Sequence, residues 1–587
     1  MTNSDSQDES RAAPAKRVRT TAGADHARRG WRREAAALLK DTFRLPRLRD
    51  AQEAVIERVM KGRSTLAIMP TGAGKSLCYQ LPALLLPGRT VVVSPLISLM
   101  KDQCDKMRAR GVAAVQMHSA LNAGETNDAE AGVTGGEAKL IFTTPERLAD
   151  AAFLELVQRH PVSLLVIDEA HCVSQWGHDF RPAFLEIATG WAALGHPPVL
   201  ALTATATPSV AEDIVGQLRV PGMEILNAGA YRPNLYYRVE QLTSEDAKYA
   251  RLLALVQEQE GTGIVYTATV KAVDALYESL REAGVPTARY HGRLNAKERR
   301  EQQDAFMRKE ARVMVATNAF GLGIDKRDTR FVVHYQMPGG LDAYYQESGR
   351  AGRDGQPATC TLLYYQRDKA VQQFLMAGRY PGMDEVNAVY TALSGDHPAR
   401  TLKELQERSE LARNKLQVAL KLLRDAGIVM QNRKRELQLR GTVDERTVME
   451  LIDTYRDKAE HDREMLERMV FYARSGYCRW KLLLEHFEEE MPFEPTCGHC
   501  DNCLRAQQHA EQVEQAEREG AADVAASPPP PPGDSPKAAF RPGDAVRVPR
   551  YGDGEVVDAN AESVSIAFPD GRTRSFVAEY VEPAAEV

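Results

Sequence analysis

Two successive series of short, uninterrupted apolar runs constrain the fold of this 587-residue chain more than any other feature. Runs of this kind, with no polar gap, are typical of strands that are buried on both faces. Longer amphipathic stretches separate the runs, so the pattern predicts βαβ units and a parallel sheet. The runs lie at 66–69, 91–93, 164–167 and 199–202, and then at 264–266, 313–315 and 331–333. The chain is therefore predicted to contain two α/β domains in tandem.

Composition divides the rest of the chain into further segments. Residues 1–28 are polar and lack apolar periodicity, which is typical of a disordered tail, and regular structure is expected to start near Trp31. An acidic, helix-like stretch and then a proline run at 508–538 predict an extended linker. The full division is a tail, two α/β domains, a winged helix, a helical zinc module, the linker and a small β-barrel, at 1–28, 29–222, 223–370, 380–445, 446–507, 508–538 and 539–587.

Charge and cysteine content argue against several classes of protein. The 75 Lys and Arg residues against 81 Asp and Glu residues give a net charge of −6, which argues against binding nucleic acid through bulk charge. No apolar run approaches the roughly 18 residues of a membrane span, and the first residues lack the apolar core of a secretory signal. Eight cysteines are too sparse for a disulfide scaffold. We therefore expect a cytoplasmic protein with no membrane partner, in which any contact with nucleic acid is local.

The segment 69–76, Met-Pro-Thr-Gly-Ala-Gly-Lys-Ser, has the features of a phosphate loop between a strand and a helix. Its two glycines let the backbone curl so that N–H groups cradle phosphate oxygens, and the helix N-terminus adds a favourable dipole. Lys75 would reach the β- and γ-phosphates, and the Ser76 hydroxyl would bind Mg²⁺. Met69 stands where the usual pattern has Gly, so a simple glycine-rich turn is the alternative. The predicted nucleotide contacts are Thr71, Gly72, Ala73, Gly74, Lys75, Ser76 and Leu77.

The apolar run at 164–167 ends in the paired carboxylates of Asp168 and Glu169. Asp168 would hold the Mg²⁺ shell, and Glu169 would polarise the attacking water. Two surface acids after a strand are common in isolation. The phosphate loop and the acid pair together, however, indicate a nucleotide hydrolase.

The second α/β domain carries Gln346, Arg350 and Arg353 within Gln-Glu-Ser-Gly-Arg-Ala-Gly-Arg-Asp. Hydrolysis builds charge on the γ-phosphate, and an arginine finger stabilises that charge. Two arginines three residues apart would face the nucleotide across a cleft between the domains. A basic surface turn is the alternative interpretation.

These motifs, in this order, resemble those of superfamily-two helicases and, more narrowly, the RecQ family of DNA helicases. The narrower resemblance rests on 170–182, Ala-His-Cys-Val-Ser-Gln-Trp-Gly-His-Asp-Phe-Arg-Pro, an aromatic-rich loop directly after the acid pair. Arg49 and Gln52 are similar to the family's adenine-reading Arg-x-x-Gln. The remaining helicase motifs resemble segments 94–102, 143–147, 202–206 and 319–326.

The resemblance implies two RecA-like domains and a monomeric, ATP- and Mg²⁺-dependent DNA helicase with 3′→5′ polarity. It further implies a role in repair or recombination, on single-stranded and branched duplex DNA, in the cytoplasm at the nucleoid. Gln52 would read adenine, Gly323 and Asp325 would complete the nucleotide site, and the Gln346 segment would sense the γ-phosphate. Aromatic faces stack on any base. The aromatic loop would therefore couple single-stranded DNA to the ATP site, through Trp176, His178, Phe180 and Arg181.

One position departs from the family pattern. RecQ proteins usually have an aromatic residue that stacks on adenine shortly before the Arg-x-x-Gln, and here Leu45 stands in its place. Adenine selectivity would then rest more on Gln52, with Phe43 or Arg47 as substitutes for the stack.

Four of the eight cysteines form one cluster near the C-terminal end of the zinc module. In a reducing compartment, overlapping Cys-x-x-Cys steps predict a tetrahedral Zn²⁺ site of four thiolates, and the cluster also resembles the RecQ zinc module. Disulfides, free thiols and an iron–sulfur cluster are alternatives, and His499 is a rival ligand. The predicted zinc ligands are Cys478, Cys497, Cys500 and Cys503. The other cysteines are expected to be small buried hydrophobes: Cys78, Cys104, Cys172 and Cys360.

A short helix, a second helix and a basic hairpin precede the zinc module and predict a winged helix. Its second helix would enter a DNA groove through Arg413 and Lys415, and its wing would use Arg433. A helical spacer with a solvated charged face is the alternative. The order is unusual, because in the familiar family arrangement the zinc module comes first.

Residues 539–587 alternate in polarity and contain Gly-Asp and Asp-Gly turns, so they predict a small β-barrel. The segment resembles the Tudor- or SH3-like barrels at the ends of some bacterial helicases. Its arginines would contact nucleic acid, or the barrel would bind a protein such as RNA polymerase or a repair factor. These arginines are Arg547, Arg550, Arg572 and Arg574.

Three functions stay open at this point. The first is a DNA helicase, the second is a nucleic-acid-stimulated translocase or remodeller without net unwinding, and the third is a DNA-binding scaffold with an inactive motor. The complete set of motor motifs argues against the third. RNA as the substrate is disfavoured only by the resemblance of the aromatic loop.

Overall fold

The structure is a computed structural model of the chain. It describes residues 22–174, 183–184, 187–321, 326–377, 382–394, 400–432, 436–440, 445–523, 540–548, 551–559, 563–569, 571–578 and 581–584. In this part of the chain, none of the helices has the length and apolar character of a membrane span.

Domain 1 is built on a seven-stranded parallel sheet with helices on both faces. Its strands are β1 Thr65–Ile68, β2 Arg89–Val93, β3 Ala114–Met117, β4 Leu140–Thr143, β5 Val162–Asp168, β6 Val199–Thr203 and β7 Glu224–Asn227. Its helices are α1 Ala22–Asp41, α2 Asp50–Met60, α3 Leu77–Leu85, α4 Ile97–Ala109, α5 Ala123–Thr134, α6 Pro145–Leu148, α7 Ala151–Gln158, α8 Ile187–Ala193 and α9 Pro208–Leu218, with a 3₁₀ turn at Ala170–Val173.

The strand order in domain 1 is β3-β4-β2-β5-β6-β1-β7. The four apolar runs predicted as strands are confirmed as β1, β2, β5 and β6, and β1, β2 and β6 are buried along their whole length. Because all seven strands are parallel, β1 and β5 end at the same edge of the sheet. The residues that follow these two strands therefore lie side by side.

Two predicted boundaries are wrong. Strand β7 pairs with β1, so it belongs to domain 1, and the boundary predicted at 222/223 moves to the stretch between Asn227 and Leu235. Helix α1 begins at Ala22, so the tail predicted for 1–28 is wrong over 22–28. Three of its seven residues are Ala, which favours a helix without giving an apolar stripe. Residues 1–21 lie outside the described part of the chain.

Domain 2 contains a six-stranded parallel sheet in the order β10-β11-β9-β12-β13-β8. The three runs of the second series are confirmed as β9, β11 and β12. The strands are β8 Leu235–Gln241, β9 Thr262–Tyr266, β10 Thr287–Tyr290, β11 Val313–Ala316, β12 Thr329–His334 and β13 Ala358–Tyr364. The helices are α10 Glu245–Glu258, α11 Val270–Glu282, α12 Ala296–Met307 and α13 Leu341–Ser348.

The C-terminal half begins with helices and a short antiparallel hairpin, and it ends in a five-stranded antiparallel sheet of order β19-β18-β17-β16-β20. The helices are α14 Arg367–Ala377, α15 Met383–Leu393, α16 Leu402–Ser409, α17 Arg413–Asp425, α18 Glu445–Arg474, α19 Arg479–His486 and α20 Asp501–Asp523. The strands are β14 Val429–Gln431, β15 Leu437–Leu439, β16 Ala545–Val548, β17 Gly552–Ala559, β18 Ser563–Ala567, β19 Thr573–Val577 and β20 Glu582–Pro583.

The zinc module shares one hydrophobic core with domain 2. Trp480, Leu483 and Met469 of the module are fully buried against residues of the domain 2 sheet such as Tyr237 and Val332. Helices α15–α17 and the β14–β15 hairpin instead surround a separate small core, and the C-terminal sheet has a third. The zinc module is therefore an integral part of the second motor domain, whereas the other two units are satellites.

A buried ion pair joins α10 to α14 behind the domain 2 sheet. The Lys248 ammonium lies 2.9 Å from a carboxylate oxygen of Asp368, and both side chains are almost completely buried. The ammonium also lies 4.6 Å from the centre of the Tyr335 ring. Burial raises the pKa of Asp368, and the charge of Lys248 opposes that shift. Each charge therefore depends on the other for its stabilisation.

Lys248→Met is expected to destabilise the chain by about 3–5 kcal/mol, because it leaves the Asp368 carboxylate buried without its partner. Urea unfolding followed by tryptophan fluorescence measures the loss. The deficit is expected to shrink as pH falls, since protonation of a carboxyl with a raised pKa removes the unpaired charge. The control Lys297→Met removes an ammonium that is 85% exposed and should cost less than about 1 kcal/mol. Equal losses in the two variants would contradict this account.

Candidate ATP site, zinc centre and nucleic-acid interface

The phosphate loop lies between β1 and α3, as its motif predicts. Gly72 and Gly74 have φ values of +85° and +81°, a left-handed conformation that side chains other than Gly rarely adopt. Met69 is fully buried in the core of domain 1, and its N–H donates to the carbonyl of Thr203. Met69, which stands in place of the usual first Gly, is therefore a core residue at the end of the strand. The curl of the loop at Gly72 and Gly74 is unaffected.

Lys75 and the acid pair converge at the edge of the domain 1 sheet. Asp168 ends β5 and is 7% exposed, and Glu169 follows it with a left-handed φ of 53°. Burial raises the pKa of Asp168, with a further contribution from the charge of Glu169, while Lys75 opposes the shift. Burial likewise lowers the pKa of Lys75, and the two carboxylates oppose that change. The charges of the three groups therefore act on one another at the edge of the sheet.

Domain 2 supplies the opposite wall of the same cleft. Gln346 lies on α13, Arg350 follows it, and both are more than nine-tenths buried. A cavity of about 380 Å³ is lined by groups from both domains. They include Lys75, Ser76, Asp168 and Glu169 from domain 1 and Gly321, Arg327, Gln346, Arg350 and Arg353 from domain 2. The structure therefore brings together the motor residues that the sequence singled out, within a single cavity.

Arg49 and Gln52 contact the phosphate loop itself. The Arg49 guanidinium donates to the carbonyl of Gly72 at 2.7 Å, and the Gln52 amide donates to the carbonyls of Ala73 and Gly74 at 2.9 and 3.2 Å. A Cβ atom at Gly74 would collide with the Gln52 amide. Both side chains therefore brace the loop, and the adenine-reading role of Gln52 stays a prediction.

The surroundings of Leu45 bear on the missing aromatic residue. Leu45, Phe43 and Arg47 all line the cavity. Phe43 is only 6% exposed, and the guanidinium of Arg110 lies over its ring at 5.2 Å from the ring centre. Phe43, the aromatic candidate for stacking on adenine, thus lies at the wall of the cavity with the Arg110 guanidinium over its ring.

Sequence reasoning missed several cavity residues on or next to α4. Gln103 and Lys106 of α4 line the cavity, as does Arg110 directly after the helix, and their three- and four-residue spacing places them on one face. That spacing was visible in the sequence directly after segment 94–102. Arg327, which also lines the cavity, had no comparable signal.

The DNA-contacting residues predicted in the aromatic loop, Trp176, His178, Phe180 and Arg181, lie outside the described residues, as do Gly323 and Asp325. The start of that loop is described. Nδ1 of His171 lies 3.1 Å from the hydroxyl of Thr203, which in turn donates to the carbonyl of Thr205. These bonds connect the loop, next to the acid pair, with segment 202–206.

The four predicted zinc ligands form one cluster. The sulfur atoms of Cys478, Cys497, Cys500 and Cys503 lie within 4.8 Å of one another, and three of these residues are buried. Backbone N–H groups of Cys497 and Arg479 donate to the sulfurs of Cys478 and Cys500, which favours thiolates. Hydrogen bonds from Cys497 and Cys500 lower the pKa of Cys478. The donor set of four sulfurs fits Zn²⁺.

Among the described residues, the cluster consists of the four cysteines and does not include the rival ligand His499. Its Nδ1 lies 2.8 Å from the carbonyl oxygen of Cys497, and its ring packs edge-on against Tyr231. The four cysteines outside the cluster, Cys78, Cys104, Cys172 and Cys360, are buried, as predicted.

The elements predicted as a winged helix are present as helices α16 and α17 and the β14–β15 hairpin. Arg413 is exposed at the first residue of α17. Lys415 is also exposed, but it forms an ion pair with Glu385 of α15 at 2.5 Å. Arg433 lies outside the described residues, so the wing contact stays a prediction.

Three family models match the chain in the order of the motifs. The DEAD/DEAH box helicase model matches 49–214, the helicase conserved C-terminal domain matches 247–355, and the RecQ zinc-binding model matches 442–504. The third match contains the cysteine cluster and begins after the β14–β15 hairpin.

Curated relatives give the same result. The chain is 45% identical over 471 residues to the ATP-dependent DNA helicase RecQ of Bacillus subtilis (strain 168), which covers 80% of this chain and 66% of that protein. It is 35% identical over 472 residues to the probable ATP-dependent DNA helicase RecS of the same organism, which covers 78% of this chain and 90% of that protein. The chain thus spans slightly less than two thirds of the first relative.

A solved structure of Mycobacterium smegmatis helicase Lhr bound to ssDNA and AMP-PNP is also similar, at 20% identity and a TM-score of 0.47. The aligned region covers 71% of this chain and 60% of the Lhr chain. The two parallel-sheet domains, the cavity lined by both and the four-cysteine cluster define the architecture that the helicase and RecQ zinc-binding models describe. From the RecS match and the three family models, the chain belongs to the RecQ family of superfamily-two helicases.

Metal analysis of the purified chain is expected to find one zinc ion per molecule, and Cys500→Ser is expected to lose most of it. Removal of one thiolate opens a closed tetrahedral site and exposes a core shared with domain 2, so the melting temperature should fall as well. Cys104→Ala is the control, because Cys104 is buried in domain 1 away from the cluster. Full zinc content in Cys500→Ser would contradict the assignment.

Proposed function

We propose that the chain is an ATP-dependent DNA helicase that unwinds duplex DNA with 3′→5′ polarity. The observation that carries the proposal is the single cavity between the domains, in which lysine and carboxylates of domain 1 face arginines of domain 2. Such a site is complete only when the domains are together. Binding of ATP would therefore favour closure of the cleft, and hydrolysis would release it, so that each cycle moves the protein along one strand.

The residues divide the hydrolytic work in a way that follows from their chemistry. Lys75 would neutralise the β- and γ-phosphates, and Ser76 with Asp168 would hold Mg²⁺, which supplies charge neutralisation at the phosphates. Glu169 would orient the attacking water. Arg350 and Arg353 would stabilise the charge that builds on the γ-phosphate. Gln346 lies on the same wall and would sense that phosphate.

The proposed substrate is single-stranded and branched duplex DNA, in repair or recombination. The names of the RecQ and RecS relatives support DNA as the nucleic acid. A translocase without net unwinding is less favoured for the same reason. We further propose that the chain acts as a monomer, in the cytoplasm and at the nucleoid.

Glu169→Gln is expected to lower the DNA-stimulated ATPase rate by about 10²–10⁴-fold, because it removes the group that orients the water. Nucleotide binding should survive, whereas Lys75→Ala should lose binding as well. The ATPase rate with single-stranded DNA and the affinity for a fluorescent ATP analogue measure the two effects. The control Glu155→Gln changes an exposed acid of α7 and should leave both unchanged.

A strand-displacement assay on 3′-tailed and 5′-tailed duplexes distinguishes a helicase from a translocase without net unwinding. Unwinding of the 3′-tailed duplex alone supports the helicase and its polarity, whereas ATPase without displacement supports the translocase. Competition between matched DNA and RNA strands tests the nucleic acid. Robust ATPase in Glu169→Gln would overturn the role given to that residue.

For the satellite formed by α15–α17 and the β14–β15 hairpin, we propose a winged helix that binds duplex DNA. Arg413, Lys415 and Arg433 would provide its cationic contacts. Arg413 is exposed at the N-terminus of α17, the position from which a recognition helix reaches a groove. In the usual RecQ arrangement the winged helix follows the zinc module, whereas here it precedes that module. Its hairpin is therefore connected to the motor domains in a different way.

Arg413→Ala is expected to weaken binding of the full chain to blunt duplex DNA and to reduce the slope of log K against log salt by about 1, because one phosphate contact is lost. Fluorescence anisotropy over a range of salt concentrations measures both. Lys403→Ala is the matched control, since Lys403 is exposed on the neighbouring helix α16. An unchanged slope in Arg413→Ala would favour the helical-spacer interpretation.

For the C-terminal β module, we propose a partner-binding role, with nucleic acid, RNA polymerase or a repair factor as the partner. Its arginines already have local contacts, which weakens the case for nucleic acid. Arg547 pairs with Asp553, and Arg572 pairs with Glu488 of the zinc module. Arg574 lies over two aromatic rings of the C-terminal β module itself. Arg550 lies outside the described residues.

A further inference from the structure

The segment that joins the two sheets, residues 228–234, contains a buried arginine that no motif identifies. We refer to this segment as the hinge. Arg232 is 8% exposed, and its guanidinium donates four hydrogen bonds to backbone carbonyls. Among the described residues, no carboxylate is within ion-pair distance of it. The dipoles of these four peptide groups therefore stabilise its charge.

The four carbonyls belong to two different domains. One Arg232 nitrogen donates to Thr71 of the phosphate loop at 3.0 Å and to Gly349 of domain 2 at 2.7 Å. The other donates to Ala351 at 2.9 Å and to Gly352 at 2.6 Å. The last three residues lie in the arginine loop, residues 349–354, which also contains Arg350 and Arg353. A single side chain thus ties the phosphate loop to the arginine loop.

The two loops also touch directly. A Cβ atom placed on Gly349 would lie 2.9 Å from Cβ of Thr71, and one on Gly72 would lie 3.1 Å from Cγ of Arg353. These distances leave no room for a further side chain or a water layer. Small changes in the separation of the loops therefore change the position of Arg353 relative to the phosphate loop.

The opposite side of the hinge is held by the zinc module. The ring of Tyr231 packs against Trp480 and Phe493, at centre-to-centre distances of 4.9 and 5.2 Å. The N–H of Ala230 donates to the Glu489 carboxylate at 2.6 Å. Successive hinge residues therefore face opposite ways, Tyr231 towards the zinc module and Arg232 towards the ATP cleft.

From this geometry we propose that Arg232 is a positioning residue for ATP hydrolysis, which fixes the separation of the phosphate loop and the arginine loop. The inference rests on the proposed ATPase activity. Arg232 is not among the described residues that line the cavity. It therefore acts through Arg350 and Arg353 and not on the nucleotide. The zinc module supports it by fixing the adjacent residue of the hinge.

The chemistry of the contact requires arginine. Four carbonyls spread around a planar fork match the guanidinium, whereas a lysine ammonium has three donors at one point. Arg232→Lys keeps the charge but cannot span both loops, so it should behave almost as Arg232→Gln does. A role that needed only positive charge would be rescued by lysine.

The first experiment measures kcat and KM for ATP with saturating single-stranded DNA. Arg232→Gln is expected to lower kcat by about 10²-fold, the typical effect of a small misplacement of catalytic groups. KM should change less than about threefold, because the phosphate loop still binds ATP. Arg238→Gln is the matched control, since Arg238 is a half-buried arginine of β8 that bonds to Thr361 and pairs with Glu240, both in domain 2. Equal effects of the two substitutions on kcat would overturn the proposal.

The second experiment is a double-mutant comparison. If Arg232 acts by positioning the arginine loop, its loss should have little further effect on kcat once Arg353 has been replaced by Ala. Multiplicative losses in the double variant would overturn the proposal, as would a normal kcat in Arg232→Gln. If Arg232→Gln fails to fold, Arg232→Lys serves in the same comparison. A wild-type chain without ATPase would instead refute the proposed function on which this inference rests.

Discussion

The close approach of two backbones at the centre of the cleft is the constraint on which the rest of the structure depends. Gly349 meets Thr71, and Gly72 meets Arg353, at distances that leave little or no room for a side chain on either glycine. This contact brings cations of domain 2 to the same cavity that the lysine and carboxylates of domain 1 line. The shifts in the pKa values of Lys75 and Asp168 are the electrostatic result of their burial.

The zinc module is best understood as a structural extension of domain 2. Its helices complete a core that the domain 2 sheet leaves open on one face, and Trp480 donates to the carbonyl of Leu235 at the first residue of that sheet. The Arg479 guanidinium is buried beside the cysteines and forms an ion pair with Asp501. Asp501 also accepts a hydrogen bond from the N–H of Val239, which lies on β8 as Leu235 does. Metal binding, folding of the second motor domain and the position of the hinge are thereby linked.

Much of the fold was predictable because buried parallel strands leave a local signature, and the phosphate loop and acid pair follow such strands. Strand β7 was missed because it is an edge strand in which half-buried and exposed residues alternate, so it lacks an uninterrupted apolar run. Arg232 was missed for a different reason. Its four acceptors are backbone carbonyls from distant segments, and a sequence pattern does not encode which carbonyls a fold will bring together.

Helix α20 runs without a break from Asp501, within the zinc site, to Asp523, into the segment predicted as a linker. The tether of the C-terminal β module is thus anchored on a rigid element of domain 2. The module meets the zinc module through part-buried hydrogen bonds of Tyr551 and Tyr477 and through the exposed ion pair of Arg572 with Glu488, and an exposed pair of this kind is weak. Tethering replaces affinity by a high local concentration. The partner-binding role proposed for this module would require these contacts to open, at an electrostatic cost that salt lowers.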